Sequence, residues 1–142
     1  MSAKGTFTLP KKERLCSKTL IEHLFSDHPS KKKTWPIKAV YQVTKLKNEQ
    51  GPQVEMLVSV SKRQFKRAVK RNLVKRQMRE AYRKNKAGLW NIMERYPEDK
   101  LNIAFLWMDN KLYSTVDVNK AMCAILEKVA NDVKDILERV EQ

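Results

Sequence analysis

The chain has 142 residues and a formal net charge of +14, from 30 Lys or Arg against 16 Asp or Glu. This length suits one domain with a modest core, so we predict a single domain over residues 1–142, with residues 1–13 flexible. No apolar run is long enough to span a membrane, and the N-terminus lacks the apolar core of a signal peptide. Such a basic chain is typical of a cytoplasmic nucleic-acid-binding protein. Cys16 and Cys123 lie far apart, and we expect both to be buried small hydrophobes rather than a disulfide.

The first half of the chain predicts one helix and two strands. Ser17 is expected to cap a short helix that extends to about Phe25. The basic segment 29–33 is expected to be a loop, with solubility or contact with a nucleic-acid backbone as its role. Residues 37–44 and 54–60 alternate apolar and polar side chains, which predicts two half-buried strands. Because the connection between them is short, we predict that they pair antiparallel as a hairpin.

The second half predicts two long helices on either side of a buried strand. The first is a basic helix that ends near Gly88, followed by a turn or two of further helix and a loop at Pro97. Residues 101–108 are almost uninterrupted apolar residues, which predicts a central strand buried on both faces. Ser114 and Asp117 resemble a capping box at the start of a long amphipathic helix. The element order predicts an α+β sandwich in which helices cover a small sheet.

Positive charge is concentrated in residues 62–86, which hold twelve Lys or Arg and one acid, Glu80. Solvated helices usually mix signs, because like charges four residues apart repel each other. Here Arg71, Lys75, Arg79 and Arg83 follow one another at that spacing. A polyanion would offset the repulsion, since each neutralised phosphate releases counterions and strengthens binding.

The helical wheel of this segment separates an apolar face from a charged one. Val74, Met78, Ala81 and Tyr82 share one arc, which predicts the face that docks on the core. The opposite arc is called the basic ridge below, and it carries Asn72, Lys75, Arg76, Arg79 and Arg83. We predict that the basic ridge binds nucleic acid.

Residues 68–82, AVKRNLVKRQMREAY, resemble the signature of the protein component of bacterial ribonuclease P. The family pattern is Arg-Asn-Arg, an aliphatic residue, Lys-Arg, two apolar residues, Arg-Glu-Ala and an aromatic. Leu73 replaces the second arginine of that pattern, so one RNA contact is expected to be missing, and Gln77 replaces an apolar residue. Residues 58–62 resemble the strand and basic loop that precede the signature, and weaker similarity extends from about residue 7 to the C-terminus.

The resemblance implies a fold and a function. The fold is an α+β two-layer sandwich with helices on a small mixed sheet, an additional short strand placed after the second predicted strand, and a left-handed crossover of the basic helix. The function is that of a protein subunit that binds catalytic RNA and the 5′ leader of precursor tRNA and promotes endonucleolytic removal of the leader. The RNA subunit would carry catalysis and hold the Mg²⁺ ions, and no obligate protein partner is implied.

The resemblance also implies site residues. Contacts with the catalytic RNA are expected from the loop and helix residues Lys62, Arg67, Ala68, Arg71, Asn72, Lys75, Arg76 and Arg79, to which the basic ridge adds Arg83. The leader would lie in a cleft between the first helix and the sheet, lined by Ile21, Phe25, Val40 and Tyr41. Core packing is an equally open role for these four residues.

No catalytic or metal site is predicted on the chain itself. The acids are scattered, His23 and His28 stand in no motif, and no serine lies in a nucleophile elbow. The alternatives that use the same ridge are a non-catalytic ribosomal-type RNA-binding protein or RNA chaperone, and a DNA-binding protein. A stand-alone nuclease is a further alternative.

Overall fold

The computed structural model describes residues 29–46 and 52–141. The strands are β1 (Ser30–Thr34), β2 (Ile37–Lys45), β3 (Val54–Ser59) and β4 (Asp99–Trp107). The helices are α1 (Ala68–Asn85), α2 (Ala87–Glu94) and α3 (Thr115–Glu141). The helix predicted to extend to Phe25, together with Cys16, His23 and His28, lies outside the described residues.

The strands form one mixed sheet in the order β1-β2-β4-β3. β2 runs antiparallel to both of its neighbours, and β3 runs parallel to β4. The prediction that β2 and β3 pair as a hairpin is wrong, because β4 lies between them. β4 is apolar on both faces and buried at each residue from Leu101 to Phe105, so it takes the central position. Parallel neighbours need a long connection, which α1 and α2 supply between β3 and β4.

The basic segment 29–33 is a strand rather than the predicted loop. Ser30–Thr34 forms edge strand β1, which pairs Thr34 with Ile37 and Ser30 with Tyr41. The additional strand therefore precedes the first predicted strand instead of following the second. The three lysines of β1 led to the loop prediction, because a charged run is typical of loops. Lysines are, however, also common on edge strands, where they prevent further strands from pairing with the exposed edge.

The core lies between one face of the sheet and the three helices. Ile37, Ala39 and Tyr41 of β2 are fully buried, and they pair across the sheet with Trp107, Phe105 and Ile103. The helices contribute Val74, Met78, Tyr82, Leu89, Met93, Met122, Ile125, Val129 and Val133. Full burial of one such large side chain contributes about 1.5–3 kcal/mol.

The helix boundaries follow local capping. Ser114 caps α3 as predicted, because its Oγ accepts from the backbone N–H of Asp117 at 3.1 Å. α1 ends at Asn85 rather than near Gly88, which lies inside α2. The Asn85 side chain donates to Asn119 Oδ1 at 2.9 Å and thereby ties the end of α1 to α3. A turn at Pro97 follows α2, as predicted.

Cys123 is a free, exposed cysteine, so the prediction that it is buried is wrong. The buried stripe of α3 passes through its neighbour Met122 and through Ile125, and this spacing leaves Cys123 on the outer side. Within residues 29–46 and 52–141, none of the helices has the length and apolar character needed to cross a membrane.

Candidate nucleic-acid interface

Helix α1 has one buried face and one charged face, as the helical wheel predicts. Its buried residues are Val74, Met78, Ala81 and Tyr82. Tyr82 also stacks in a tilted arrangement on Phe105 of the central strand, with ring centroids 5.7 Å apart. The sheet therefore fixes the rotation of α1 about its axis, and the opposite face is directed away from the core.

The basic ridge on that opposite face is accessible. Asn72 and Arg76 are exposed, while Lys75, Arg79 and Arg83 are half-buried. Among the described residues, no acidic side chain forms an ion pair with Lys75 or Arg76. The half-buried side chains Lys75, Arg79 and Arg83 show the usual arrangement for long basic residues, in which the aliphatic stem is buried and the charged end stays at the surface. Lys75 and Arg76 thus present positive charge that no ion pair among the described residues takes up.

Glu80 reduces the charge at the C-terminal end of the ridge. Its Oε2 lies 2.8 Å from Nη2 of Arg83, one turn later. The hydrogen bond from Arg83 lowers the pKa of Glu80, and the charges of Arg83, Lys84 and Arg76 act in the same direction. Since Glu80 stays ionised and occupies Arg83, we assign the strongest anion attraction to the N-terminal half of the helix.

Arg71 organises the segment that leads into α1. Its Nη1 donates to the carbonyl oxygens of Phe65 and Lys66, both at 2.8 Å. Phe65 is itself buried in the core, so the burial of its side chain and the bonds from Arg71 fix the same part of the segment. Lys62 and Arg67, predicted RNA contacts on either side of Phe65, are exposed. Sequence reasoning missed this backbone role of Arg71, which no residue pattern signals.

The N-terminus of α1 favours an anion. Arg67 occupies the N-cap position without a side-chain hydrogen bond to the helix, and the first turn contains no acidic residue. The unpaired backbone N–H groups and the positive end of the helix dipole therefore remain uncompensated. Ala68 is exposed at this end, and its small side chain permits close approach of a phosphate backbone.

Two departures from the family pattern occupy distinct surroundings. Leu73 is 39% exposed and lies off the buried face, as expected for a position where the pattern has arginine. Gln77 donates to the carbonyl oxygen of Tyr113 at 3.0 Å and to Thr115 Oγ1 at 3.4 Å. It connects α1 to the loop between β4 and α3, so an amide replaces an apolar contact at this position.

Residues predicted for the leader cleft separate onto opposite faces of the sheet. Tyr41 is fully buried in the core and donates a hydrogen bond to Asp132 of α3. Burial and this bond raise the pKa of Tyr41 above its ordinary value. Val40, its neighbour in β2, points to the other face and is 1% exposed. Tyr41 is therefore a core residue, Val40 stays a predicted cleft residue, and Ile21 and Phe25 lie outside the described residues.

In the part of the chain that the structure describes, no group of three or more His, Cys, Asp or Glu side chains is placed to hold a metal ion. Two of the acids form ion pairs within the sheet. Asp99 pairs with Lys45 at 3.0 Å, and Glu55 pairs with Lys100 across β3 and β4. The geometry supports binding of a polyanion by the surface of α1.

Comparison with known proteins assigns the chain to a family. A family model described as Ribonuclease P matches residues 9–103 of the 142. The chain belongs to the ribonuclease P protein family. It is similar to the ribonuclease P protein components of two strains of Porphyromonas gingivalis, each 35% identical over 133 residues, which cover 94% of both chains. The component from Chlorobium phaeobacteroides is 38% identical over 96 residues, 66% of this chain and 64% of that protein.

Solved structures show the same fold. The ribonuclease P protein of Staphylococcus aureus aligns with a TM-score of 0.62 at 16% identity, covering 82% of this chain and 94% of that one. A mutant of that protein, described as defective in mRNA degradation activity, aligns with a TM-score of 0.63 at 16% identity and covers 84% and 89%. The predicted α+β fold is confirmed. Membership in the family implies an RNA partner, tRNA processing and a place in a ribonucleoprotein nuclease.

Proposed function

We propose that the chain is the protein subunit of a ribonuclease P ribonucleoprotein, and that it binds the catalytic RNA through α1. The observation that carries this proposal is the position of the basic ridge. Its apolar reverse side, including Met78 and Tyr82, is buried against the sheet, while Asn72 and Arg76 are exposed. The exposed residues Lys62, Arg67 and Ala68 extend the surface toward the N-terminus of the helix. One rigid helix can thus track an RNA backbone along its length.

The second RNA bound would be the 5′ leader of precursor tRNA. The support is the resemblance, to which Val40 adds its position on the sheet face away from the core cluster and, at 1% exposed, no accessible surface of its own. A protein that contacts both RNAs would favour precursor over mature tRNA, because only the precursor carries the leader. Removal of the leader would then give the mature 5′ end.

Electrostatics explains why an RNA catalyst would need such a subunit. Catalytic RNA and precursor tRNA are both polyanions and repel each other, and salt screens charges only beyond about 8 Å at physiological ionic strength. A protein of net charge +14 placed between them offsets that repulsion. The Mg²⁺ concentration needed for activity would fall accordingly.

The RNA partner would carry catalysis and hold most of the Mg²⁺, whose preferred ligands are oxygens such as those of phosphates. The chain would bind and orient the two RNAs. We place this activity in the cytoplasm, with no membrane and no obligate protein partner.

The leader part of the proposal is tested by comparing two substrates at limiting Mg²⁺, a precursor tRNA with its leader and a tRNA whose leader is one nucleotide long. We expect the protein to stimulate binding of the full-leader substrate more strongly. Equal stimulation of both substrates would contradict the leader contact and leave the ridge contact standing.

A further inference from the structure

Four exposed aliphatic side chains gather where α1 meets the start of α3. Val69 and Leu73 lie one turn apart on α1, so they are neighbours on its surface. Leu112 precedes α3 by three residues, and Val116 lies in its first turn. Together with Trp35, these are all the large apolar side chains that are exposed in residues 29–46 and 52–141. The four aliphatic residues are called the apolar patch below.

Hydrogen bonds from α1 bring the two halves of the apolar patch together. Gln77 follows Leu73 by one turn on the same side of α1. Its Nε2 donates to the carbonyl oxygen of Tyr113 at 3.0 Å and to Thr115 Oγ1 at 3.4 Å. Each of these acceptors belongs to a residue adjacent in sequence to one of the two patch residues near α3. Single exposed apolar residues are normal on a protein surface, whereas a group of them marks an interaction site.

Lysines border the apolar patch on both elements. Lys70 follows the first patch residue of α1, Lys111 precedes the patch residue before α3, and Lys120 lies one turn after the patch residue inside α3. All three are exposed. Within the described ranges, no carboxylate forms an ion pair with Lys70 or Lys120. Asp117 is the one acid in the first turn of α3, so cations outnumber acids around the patch.

We propose that the apolar patch docks a partner protein through a segment that carries carboxylates beside aliphatic side chains. Charge complementarity selects this occupant, since acidic groups would pair with the lysines that border the patch. A second copy of the chain fits poorly, because it would bring together like charges of two chains that each carry +14. RNA also fits less well, since unpaired bases stack on aromatic rings or arginine planes and the patch has neither. The interaction goes beyond the function proposed above and does not depend on it.

The test uses a labelled helical peptide of about 16 residues, with leucines along one face and glutamates at the other positions. The control peptide has glutamine in place of each leucine and the same net charge. Binding to the full chain is followed by fluorescence anisotropy at physiological salt. We expect the leucine peptide to bind at least about ten-fold more tightly, because only this peptide buries aliphatic side chains on the patch. Equal affinities would reduce the interaction to charge attraction and would overturn the proposal.

The apolar contacts are located with the double variant Leu73→Ser, Leu112→Ser. Both side chains are exposed, so the fold is expected to tolerate the change. We expect affinity for the leucine peptide to fall about ten-fold and affinity for the glutamine peptide to stay the same. An unchanged affinity for the leucine peptide would show that it binds elsewhere, and the proposal would be wrong.

The choice of an acidic partner is tested with the double variant Lys70→Gln, Lys120→Gln. We expect affinity for the leucine peptide to fall about five-fold, since each lysine loses an exposed ion pair. The matched control is Lys134→Gln, Arg139→Gln, which removes the same charge from exposed positions of α3. These positions lie about 27 Å or more along the helix from Val116, so salt screens them from the patch. Equal losses in the two double variants would contradict an acidic segment docked at this place.

Two other occupants would give distinct results. If the serine variant binds ribonuclease P RNA less tightly while its affinity for the leucine peptide is unchanged, the patch belongs to the RNA interface. If the wild type sediments as a dimer and the serine variant as a monomer, the occupant is a second copy. Either result would overturn the proposal. If the serine variant fails to fold, the two peptides and the lysine variants still decide. Failure of the protein to stimulate ribonuclease P RNA would count against the function proposed above and not against this site.

Discussion

Arg71 donates from Nη1 to the carbonyl oxygen of Phe65 at 2.8 Å, and to that of Lys66 at the same distance. The family pattern has an arginine at this position, and the resemblance of the chain to the family predicts that Arg71 contacts RNA directly. The structure adds that this arginine fixes the backbone of the segment preceding α1. The charge of Arg71 is therefore expected to affect RNA binding, whereas its hydrogen bonds are expected to affect the order of the preceding segment. Substitutions can separate these two effects.

Arg71→Lys keeps the charge but replaces the guanidinium, whose Nη1 bonds two carbonyl oxygens, with the ammonium of a shorter side chain. We expect faster amide hydrogen exchange in residues 61–67 and an unchanged salt slope of RNA binding. Arg71→Gln should show the same faster exchange together with a smaller slope. Equal exchange rates in wild type and Arg71→Lys would show that the two hydrogen bonds do not hold the segment.

Arg76→Gln should weaken binding to ribonuclease P RNA about five-fold at physiological salt and reduce the salt slope by about 0.9, the effect of one phosphate contact. Arg76 is exposed, so the free energy of unfolding should change by less than about 0.5 kcal/mol. Lys134→Gln removes the same charge from α3 and serves as the control. A slope that is unchanged in Arg76→Gln would remove this residue from the interface.

Leu73→Arg should restore the contact that the family pattern contains. The side chain is 39% exposed and lies off the buried face, so arginine fits without disturbing the core. We expect tighter RNA binding and a slope larger by about 0.9. Val116→Arg, at a 62% exposed position at the start of α3, adds the same charge outside the basic ridge. Equal gains in the two variants would show that net charge alone is responsible.

Tyr41→Phe should lower the free energy of unfolding by about 1–3 kcal/mol at pH 7, because the partner Asp132 loses its hydrogen bond. Asp132→Asn keeps an oxygen acceptor and should cost less. Urea denaturation of the three proteins measures both effects. No loss in Tyr41→Phe would mean that solvent replaces the phenol at no cost.

The same pair predicts a pH dependence. The pKa of Tyr41 is raised in the folded protein, so the folded state holds its proton above pH 10, where an unfolded tyrosine releases it. Its contribution to stability is complete below pH 10 and is lost as the pH rises further. The difference in unfolding free energy between wild type and Tyr41→Phe should therefore narrow above pH 10. A constant difference from pH 7 to about pH 11 would contradict the raised pKa.

Local periodicity predicted those elements that one face or stripe of side chains determines. The two faces of α1 and the capping of α3 by Ser114 were predicted from spacing. The doubly buried strand was predicted over residues 101–108 from its apolar run, and it is observed as Asp99–Trp107. Strand order was not predicted correctly, because a short link between β2 and β3 permits a hairpin and does not require one. Insertion of β4 between them depends on burial of its two apolar faces, which is a property of the whole sheet.

The candidate site shows the same division. Exposure of Asn72 and Arg76 follows from the helical wheel, since the reverse side of α1 is apolar. The backbone bonds of Arg71 and the hydrogen bond from Gln77 to the carbonyl oxygen of Tyr113 bring together residues that no local pattern relates. Tyr41 and Val40 were predicted for one cleft, although adjacent residues of a strand point to opposite faces.

The most direct test of the central claim is reconstitution. The purified protein is mixed with ribonuclease P RNA from the same genome and a precursor tRNA that bears a 5′ leader, at low Mg²⁺, beside protein alone and RNA alone. We predict cleavage at the mature 5′ end in the mixture only, and weaker stimulation by Arg76→Gln than by Lys134→Gln. No stimulation by the wild-type protein, together with tight binding to unrelated structured RNA, would contradict the account and make the basic ridge a general RNA-binding surface.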